Sequence, residues 1–409
     1  MSWRSVPFAK AVQDATGGNV KIQRKDYLVL GLLPIIDQGQ QDVAGYTDDR
    51  TAAYRGEVPV VLFGDHTRAL KYVDRPFALG ADGVKVLEAQ PGFDAKFLYY
   101  YLLSCDIPNH GYSRHFKFLK ELNVPAVAPS EQHRIVEILD QAHALRRRAR
   151  EADAKAARIL PALFLKMFGD PATNPMGWPV KPLSEAVDRI EAGWSAGSET
   201  RERRLGEFGV LKVSAVTSGT FLPKEYKTVP SVPDSRSLVT PKRGDLLFSR
   251  ANTRELVAAT CLVDTDYPYL FLSDKLWRLV PRGNIATTPY LRELMACEVV
   301  RDKFRAFSSG SSGSMLNVSQ AAVLRTEVPL APPGLQKKFE RYTWDVLGLL
   351  RVIHQARTRL DTLRGTLLQR AFSGQLTAKW RAAHSQQLLA EMQEQARLLN
   401  LSAPSTVLG

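Results

Sequence analysis

The sequence contains the stretch VPAVAPSEQ at residues 124–132 and a related stretch, VPLAPPGLQ, at residues 328–336, which lies 204 residues later. The segments that follow them also end alike, with LFLKMFG at residues 163–169 and LLQRAFSG at residues 367–374. No gap is needed to align the two segments. A repeat at about half the chain length predicts two similar halves, each made of a globular region followed by a long helix.

Both segments that follow the repeated stretch have the apolar periodicity of long helices. Apolar residues recur at alternating steps of three and four over four heptads, which is typical of a coiled-coil seam, and the partner of each helix is expected to be the other helix. A helix over residues 132–168 would be ~55 Å long, with a kink where Pro161 removes a backbone donor. The predicted seam residues are Ile135, Ile138, Leu145, Ile159 and Leu163 in the first helix and Phe339, Val346, Leu349, Ile353, Leu360, Leu363 and Leu367 in the second.

The regions that precede the two helices alternate short β-rich runs with Gly, Pro and Asp, and they begin alike at residues 3–12 and 178–187. This pattern predicts α+β domains, each built on a curved sheet. Predicted strands cover residues 58–63, 83–87, 209–216, 245–249, 258–263 and 277–280, and predicted helices cover residues 93–104 and 289–307.

The predicted fold class is therefore α+β, with two α/β domains separated by two long helices that form a coiled coil, and the internal repeat is pseudo-two-fold if these helices run antiparallel. The predicted boundaries are residues 1–128 for the first domain, 129–175 for the first helix, 176–331 for the second domain, 332–375 for the second helix and 376–409 for a C-terminal tail.

Composition is that of a globular protein, with 44% hydrophobic and 24% charged residues. The formal net charge of +13 is compatible with an acidic partner such as nucleic acid, although no domain is a block of basic residues. The three cysteines are far apart, which excludes a disulfide scaffold and favours a reducing compartment. We find no run of 18 apolar residues and no signal-peptide core, and so expect a cytoplasmic protein without membrane contact.

The sequence contains no strong catalytic or metal-binding motif. It has no Walker A loop, no amino-methyltransferase loop and no Gly-rich nucleotide fingerprint. His110 and His115 have no acidic or Cys companion nearby, so we expect no metal site. The stretch GWSAG at residues 193–197 matches a nucleophile elbow, but residues 183–190 have helical spacing where that motif needs a strand. A structural glycine turn is therefore the favoured interpretation.

Two acidic-x-Lys pairs, Asp94 with Lys96 and Glu225 with Lys227, are weak nuclease signals, and solvated surface pairs are favoured. We therefore expect no catalytic residue in this chain.

Five further stretches decide the family resemblance. They are IIDQGQ at residues 35–40, AGYTDD at 44–49, VLFGDHTR at 61–68, FALGADG at 77–83 and GDLLFSRANT at 244–253. Together with the duplicated helix entry, they make the chain resemble the DNA specificity subunits of type I restriction-modification systems over about residues 1–380. Pro161 departs from the unbroken helix of that family and predicts a kink in the first helix.

The resemblance implies two target-recognition domains that each contact one half of a bipartite, asymmetric DNA target, with the helices setting the spacer length. It also implies that two DNA methyltransferase subunits dock on the chain and that two restriction subunits join where the system cleaves DNA. No cofactor is expected on this chain, because S-adenosylmethionine would bind the methyltransferase partner, which flips out an adenine, and ATP and Mg²⁺ would bind the restriction partner.

DNA-contacting residues are expected among basic and polar side chains on loops of the two domains. In the first domain the candidates are His66, Thr67, Arg68, Lys71, Tyr72, Tyr112, Arg114, His115 and Lys117, and in the second they are Arg250, Asn252, Thr253, Arg254, Ser309, Ser311, Ser312, Ser314 and Asn317.

The tail has apolar residues at helical spacing from Leu388 to Leu399, which predicts a helix that docks on a methyltransferase or folds back on the long helices, or else a frayed appendage. Two other functions stay open from the sequence, a coiled-coil scaffold without a DNA role and a fused nuclease or methyltransferase.

Overall fold

A computed structural model describes residues 3–81, 83–111, 113–233, 235–309 and 315–402 and divides the chain into two compact units. The first unit comprises Met1–Arg150 and Ala356–Gly409, and the second comprises Glu151–Gln355. The division crosses both predicted helical regions, so that each unit contains part of each. The mixture of helices and strands confirms the α+β class.

The described residues of the first unit begin with a series of short strands and α-helices. In chain order they are β1 (Ser5–Pro7), α1 (Phe8–Ala11), β2 (Val12–Asp14), β3 (Leu33–Ile36), β4 (Gly45–Thr47), β5 (Val60–Gly64), β6 (Leu70–Val73), β7 (Ala78–Leu79), β8 (Val84–Ala89), α2 (Ala95–Ser104), α3 (Phe116–Lys120) and β9 (Asn123–Pro125). Strands β2, β8, β5 and β6 form one antiparallel sheet in that order, β4, β3 and β7 form a second sheet, and β1 pairs with β9.

Strand β5 lies at the centre of the first unit's core, because all five of its residues are buried. Val61 and Phe63 pack into one apolar cluster with Leu98 of α2. Val60 and Leu62 point the other way, into a cluster around Phe77. Alternate residues of a strand point to opposite faces, so both faces of β5 are covered. The turn that follows β5 therefore starts from a strand that is packed on both faces.

The first long helical region is interrupted rather than kinked. Helix α4 (Pro129–Ala156) ends before α5 (Ile159–Phe168) begins, so the prediction of one helix over residues 132–168 is wrong. Pro161 has no N–H to donate to the carbonyl of Ala157. The chain instead makes a tighter turn, in which the backbone N–H of Arg158 donates to the carbonyl of Lys155. The helix then restarts with Pro161 in its first turn, where the missing donor costs little.

The second unit repeats the same construction with more elements. They are β10 (Val180–Pro182), α6 (Leu183–Ala186), β11 (Val187–Ala192), β12 (Phe208–Leu211), α7 (Ser214–Thr217), β13 (Tyr226–Val229), β14 (Leu246–Ser249), β15 (Ala251–Asn252), β16 (Thr260–Leu262), β17 (Leu270–Leu272), β18 (Leu276–Pro281), α8 (Thr288–Ala296), α9 (Glu298–Ala306), β19 (Leu316–Asn317), α10 (Gln320–Arg325) and β20 (Glu327–Pro329).

The sheets of the second unit have the strand order of the first. Strands β11, β18, β14 and β16 correspond to β2, β8, β5 and β6, and strands β13, β12 and β17 correspond to β4, β3 and β7. Strand β10 pairs with β20 as β1 pairs with β9. Three predictions need correction here: residues 214–216 lie in α7 instead of a strand, the helix over 289–307 is interrupted at Cys297, and β11 is a strand where helical spacing was noted.

The repeated glutamine at the end of the VPAVAPSEQ stretch has the same role in both units. Gln132 accepts a hydrogen bond from the backbone N–H of Asp94, the N-cap of α2, at 2.8 Å and donates to the carbonyls of Gly92 and Val127. Gln336 accepts from the N–H of Thr287, the N-cap of α8, at 2.9 Å and donates to Ile285 and Ala331. The repeat therefore ties the start of each long helix to a helix of its own unit.

The second long helix, α11 (Pro333–Phe372), is continuous over 40 residues. In the first unit its end packs on α4, with Leu368 and Ala371 against Ile135 and Leu139, and Arg146 pairs with Asp361. In the second unit its start packs on α5, where Phe339 lies 5.9 Å from Phe164 and 5.4 Å from Phe168 between ring centroids. No helix within the described ranges is both long and apolar enough to span a membrane.

The buried seam follows a different phase from the predicted one. Leu145, Ile159, Leu349 and Leu363 are 38 to 50% exposed, so their assignment to the seam is wrong. Neighbouring residues are buried in the same helices, among them Leu139, Leu160, Phe164, Thr343 and Leu368. Both sets recur at heptad spacing, and the apolar stripe is wider than the seam. Of the other predicted residues, Ile135 and Phe339 are buried, and Ile138, Leu163, Val346, Ile353, Leu360 and Leu367 are half-buried.

The C-terminal tail folds onto the first unit as two helices, α12 (Ala378–Ala383) and α13 (Ser385–Leu398). Leu388 and Met392 pack on Ala128, just before α4. Arg381 and Glu131 form a buried ion pair at 2.8 Å, and both side chains are no more than 5% exposed. The described tail is therefore part of the first unit's core, which differs from the frayed appendage left open by the sequence.

Candidate nucleic-acid interface

In the first unit, two segments that carry predicted DNA-contacting residues lie side by side. The carbonyl of Asp65, at the turn after β5, accepts the N–H of His115 at 2.8 Å, and the Asp65 carboxylate accepts the N–H of Phe116 at 2.8 Å. On the other side, Gln38 accepts the N–H of His66 at 3.2 Å, and its carbonyl accepts the Thr67 hydroxyl. The turn at residues 65–68 and the start of α3 therefore form one surface.

Two candidates of the first unit are buried and cannot contact a surface ligand as they stand. His115 is fully buried, with its Nδ1 at 2.9 Å from the carbonyl of Asp65. Lys71 is 7% exposed and donates to the carbonyl of Asp37 at 2.7 Å, and its burial lowers the pKa of its ammonium group. Buried polar groups need hydrogen-bond partners within the protein. The side chains of His115 and Lys71 find theirs on loop carbonyls and so hold loops together. Their assignment as direct contacts is corrected.

The remaining described candidates of the first unit are accessible. Arg114 and Lys117 are exposed, and His66, Thr67, Arg68 and Tyr72 are half-buried. Arg68 has a positive φ of 60° and donates to the carbonyl of Ile107 at 2.9 Å, which orients its guanidinium along the turn. The ring of Tyr72 lies under the ammonium of Lys96, at 5.0 Å from its centroid. Tyr112 lies outside the described residues.

The second unit assembles its candidates through a two-stranded ribbon. Ala251 and Asn252 of β15 pair with Asn317 and Leu316 of β19, and Asn317 also exchanges backbone hydrogen bonds with Ser309 at 2.9 Å. Val318 donates to the carbonyl of Arg250 at 2.9 Å. The loop after β14 and the segment before α10 therefore lie together, although they are far apart in sequence.

Side chains of this second group have different exposures. Arg254 and Ser309 are exposed, and Arg250, Asn252, Thr253 and Asn317 are half-buried. The guanidinium of Arg250 lies 5.5 Å from the ring centroid of Trp277. Asn252 accepts the backbone N–H of Thr253 at 2.8 Å, which orders the loop. Ser311, Ser312 and Ser314 lie outside the described residues.

The candidate groups of the two units occupy equivalent places in the repeated fold. Each follows the central strand of the four-stranded sheet, β5 or β14, and each adjoins the segment before a short helix, α3 or α10. The backbone tie is also repeated, since Asp65 donates to Gly83 at 2.7 Å and Arg250 donates to Lys275 at 3.0 Å, at the start of β8 and β18. The side chains at these places differ, as expected for surfaces that recognise different ligands.

Two residues that position the loop of the first unit were not predicted as site residues. They are Gln38 and Asp65, which lie within the stretches that carry the family resemblance. The motifs indicated that these residues matter, but not which loops they join. Those contacts are between residues distant in sequence, and no periodicity indicates them.

The weak catalytic motifs have structural roles. Asp94 caps α2, Lys96 pairs with Asp140 at 2.7 Å, and Glu225 accepts the Ser214 hydroxyl at 2.7 Å. Ser195 of the GWSAG stretch donates to a carboxylate, that of Asp274, which is not the histidine that a nucleophilic serine needs.

Cys261 and Cys297 are buried enough to affect the ionisation of their thiols. Burial raises the pKa of Cys261 to about 12 and that of Cys297 to about 11, so both are protonated thiols at neutral pH. Within the described ranges, no group of three or more His, Cys, Asp or Glu side chains could hold a metal ion.

Comparison with known proteins gives matches in sequence and in fold. The EcoEI type I restriction enzyme specificity subunit of Escherichia coli is 29% identical over 202 residues, which are 49% of this chain and 34% of that protein. The match thus spans about a third of the length of the curated relative. No family model matches the chain.

Among solved structures, the specificity subunit of a type I restriction-modification system from M. genitalium has a TM-score of 0.58 at 14% identity. The alignment covers 91% of this chain and 96% of that one, so the two share a fold. The HsdS subunit of Thermoanaerobacter tengcongensis has a TM-score of 0.33, which is too low to support a shared fold. Over those 202 residues the chain is similar in sequence to the Escherichia coli specificity subunit, and over most of its length it shares the fold of the M. genitalium subunit.

Proposed function

We propose that this chain is the non-catalytic, DNA-recognising subunit of a type I restriction-modification complex. Each half contributes one recognition domain, and each domain contacts one half of a bipartite, asymmetric target. The observation that carries this proposal is the repetition of one fold with different polar side chains at the equivalent loops after β5 and β14. Since base recognition depends on side chains at loop positions, two unlike loops on one scaffold favour two unlike half-sites.

In the first domain, the DNA contacts would come from His66, Thr67, Arg68 and the exposed Arg114 and Lys117. In the second, they would come from Arg250, Asn252, Thr253, Arg254, Ser309 and Asn317. The support is that each group is gathered on one surface by backbone hydrogen bonds and is accessible in its own unit. Guanidinium and amide side chains are the usual partners of guanine and adenine edges in the major groove.

The long helices would form an antiparallel coiled coil that sets the distance between the half-sites. This is supported by the contacts of α11 with α4 in one unit and with α5 in the other. A helix of 40 residues is about 60 Å long, which is enough to address half-sites one DNA turn apart, about 34 Å.

Catalysis would reside on partners. Two DNA methyltransferase subunits that carry S-adenosylmethionine would dock on the chain and modify an adenine in each half-site. Restriction subunits that use ATP and Mg²⁺ would join where the system cleaves DNA. Support for this division of labour comes from Asp94 and Glu225, the acidic members of the weak nuclease motifs, which respectively cap α2 and accept the Ser214 hydroxyl.

A domain exchange tests the proposal. Residues 176–331 are replaced by the corresponding domain of a relative with a different target, and the chain is produced with its methyltransferase partner. Mapping of methylated adenines in cellular DNA should show that one half of the target changes and the other half persists. If both halves persisted, the second domain would not recognise DNA. If the wild-type chain supported no methylation at any bipartite sequence, the proposal itself would fail.

A further inference from the structure

The GWSAG stretch, which the proposed function leaves unexplained, lies beside the loop that follows β14. Gly193 passes so close to β17 that a Cβ there would lie 2.2 Å from the carbonyl oxygen of Leu272. This close approach allows Trp194 to donate its N–H to the same carbonyl at 2.8 Å. It also brings Ser195 to Asp274, whose carboxylate accepts the serine hydroxyl. The glycine therefore holds an exposed Ser195–Asp274 pair in place.

This pair is continuous with the candidate interface of the second unit. Arg250 donates its backbone N–H to Lys275 at 3.0 Å, and its Nη1 lies 3.5 Å from the carbonyl of Asp274. The buried Nε of Arg250 has no hydrogen-bond partner among the described residues. Asp274 and Ser195 are exposed. The turn between β17 and β18 and the loop that carries Arg250 and Asn252 therefore form one polar edge.

Asp274 is an acidic residue on an edge that also carries basic residues. Lys275 follows it in the chain, Nη1 of Arg250 lies 3.5 Å from its carbonyl oxygen, and the guanidinium of Arg236 lies 5.1 Å from the ring centroid of Trp194, the neighbour of Ser195. The cations on such an edge attract DNA phosphates, whereas phosphates repel a carboxylate. The DNA groups that suit a carboxylate are the exocyclic amines of bases in the major groove, above all cytosine N4.

We propose that Asp274 is a specificity-determining residue of the second domain, which accepts a hydrogen bond from the exocyclic amine of one cytosine or adenine in its half-site. Ser195 is a positioning residue, because it acts by orienting the carboxylate. The inference rests on the proposed function, since it requires the second domain to contact DNA. It adds a residue and a base class outside the loops already assigned.

The test compares Asp274→Asn and Asp274→Ala with the control Asp188→Asn in the complete methyltransferase complex. Asp188 is an exposed carboxylate on β11, which lies near Pro281 at the far end of the same sheet. The readout is the methylated sequence in cellular DNA. We expect the Asp274 variants to relax or change one base of one half-site, with a loss of discrimination of roughly 5- to 100-fold. Where the wild-type residue selects cytosine, the amide of Asn should shift the preference towards adenine.

Each outcome has a defined meaning. An unchanged methylated sequence in both Asp274 variants overturns the inference and leaves the proposed function standing. If a variant abolishes methylation, binding of the purified complex is measured on DNA with every single-base change in that half-site. Equal weakening of all sequences would show a structural or phosphate role and overturn the inference, whereas a selective loss at one base supports it. A wild-type complex without any bipartite sequence preference contradicts the proposed function instead.

Discussion

The starts of α4 and α11 have the same sequence pattern and the same glutamine contacts, yet their surroundings differ. At the position after Ser130, Glu131 is 2% exposed and pairs with Arg381 of the tail. At the equivalent position of the second repeat, Leu335 lines an open groove of about 510 Å³ together with Leu163 and Tyr342. The repeated sequence gives the same glutamine contacts at the start of each long helix, and we call each set of contacts a joint. The side chains that surround each joint come from segments outside the repeat and therefore differ.

The tail reinforces the first joint with a second set of contacts. Gln395 of α13 donates to Gly92 at 2.8 Å and to Val127 at 3.0 Å, the two carbonyls that Gln132 also uses. Glu391 accepts the N–H of Ser130 at 2.9 Å, in the first turn of α4, where a carboxylate suits the unpaired donors. The first unit therefore depends on residues from both ends of the chain.

The largest expected effect is that of Arg381→Ala. It leaves the Glu131 carboxylate buried without its cation, and removal of one partner of a buried pair costs about 3–5 kcal/mol. We expect faster amide hydrogen exchange at the start of α4 and in α12 and α13, with exchange in α8 and at the start of α11 unchanged. The control is Arg397→Ala, whose pair with Glu394 is largely exposed. Equal exchange in both units would show that the tail does not distinguish them.

The next largest effect is the difference in stability loss between Gln336→Ala and Gln132→Ala. Gln336→Ala leaves the N–H of Thr287 and the carbonyls of Ile285 and Ala331 without this side chain, at about 1–3 kcal/mol for each buried group left unsatisfied. Gln132→Ala should cost less, because Gln395 still donates to both carbonyls.

Urea unfolding monitored by hydrogen exchange in each unit measures the difference between the glutamines. The double variant Gln132→Ala with Gln395→Ala should remove it. If Gln132→Ala alone cost as much as Gln336→Ala, the tail would not support the first joint.

The smallest expected effect concerns one carboxylate on an edge strand of each four-stranded sheet, Asp14 on β2 and Glu191 on β11. Burial raises the pKa of Glu191, but hydrogen bonds from Arg278 and Arg189 outweigh it, so the pKa is lowered. Burial likewise raises the pKa of Asp14, but hydrogen bonds from Thr16 and Lys85 lower it overall. A lowered folded pKa adds stability above the unfolded value, and this stability is lost as the pH falls through the folded pKa.

Glu191→Gln and Asp14→Asn should therefore each cost about 1 kcal/mol or less at pH 7, and nothing once acid has protonated the carboxylates. Unfolding of both variants between pH 3 and pH 7 measures this dependence. A pH-independent cost would show that the lost contribution is packing rather than charge.

The predictable part of this protein came from local and periodic patterns. The repeated stretch, the long helices and most strands follow from residue spacing, because helix and strand periods act within a few residues. The polar segment after β14 was expected to be a loop, since polar residues between buried strands mark loops, whereas the structure places Ala251 and Asn252 in the short strand β15. By contrast, His115 and Lys71 were assigned to the surface although they are buried, because polarity alone does not reveal a partner on a distant loop.

Residue patterns alone predict two related halves, each with a long helix, and loops that differ between them. The three-dimensional structure is needed to know the phase of the buried seam, the interruption at Pro161, the contact of Ser195 with Asp274 and the position of the tail. The physical reason is the range of the interactions. Periodicity records which side of an element avoids water, whereas the choice of neighbour depends on hydrogen bonds and packing between residues far apart in the chain.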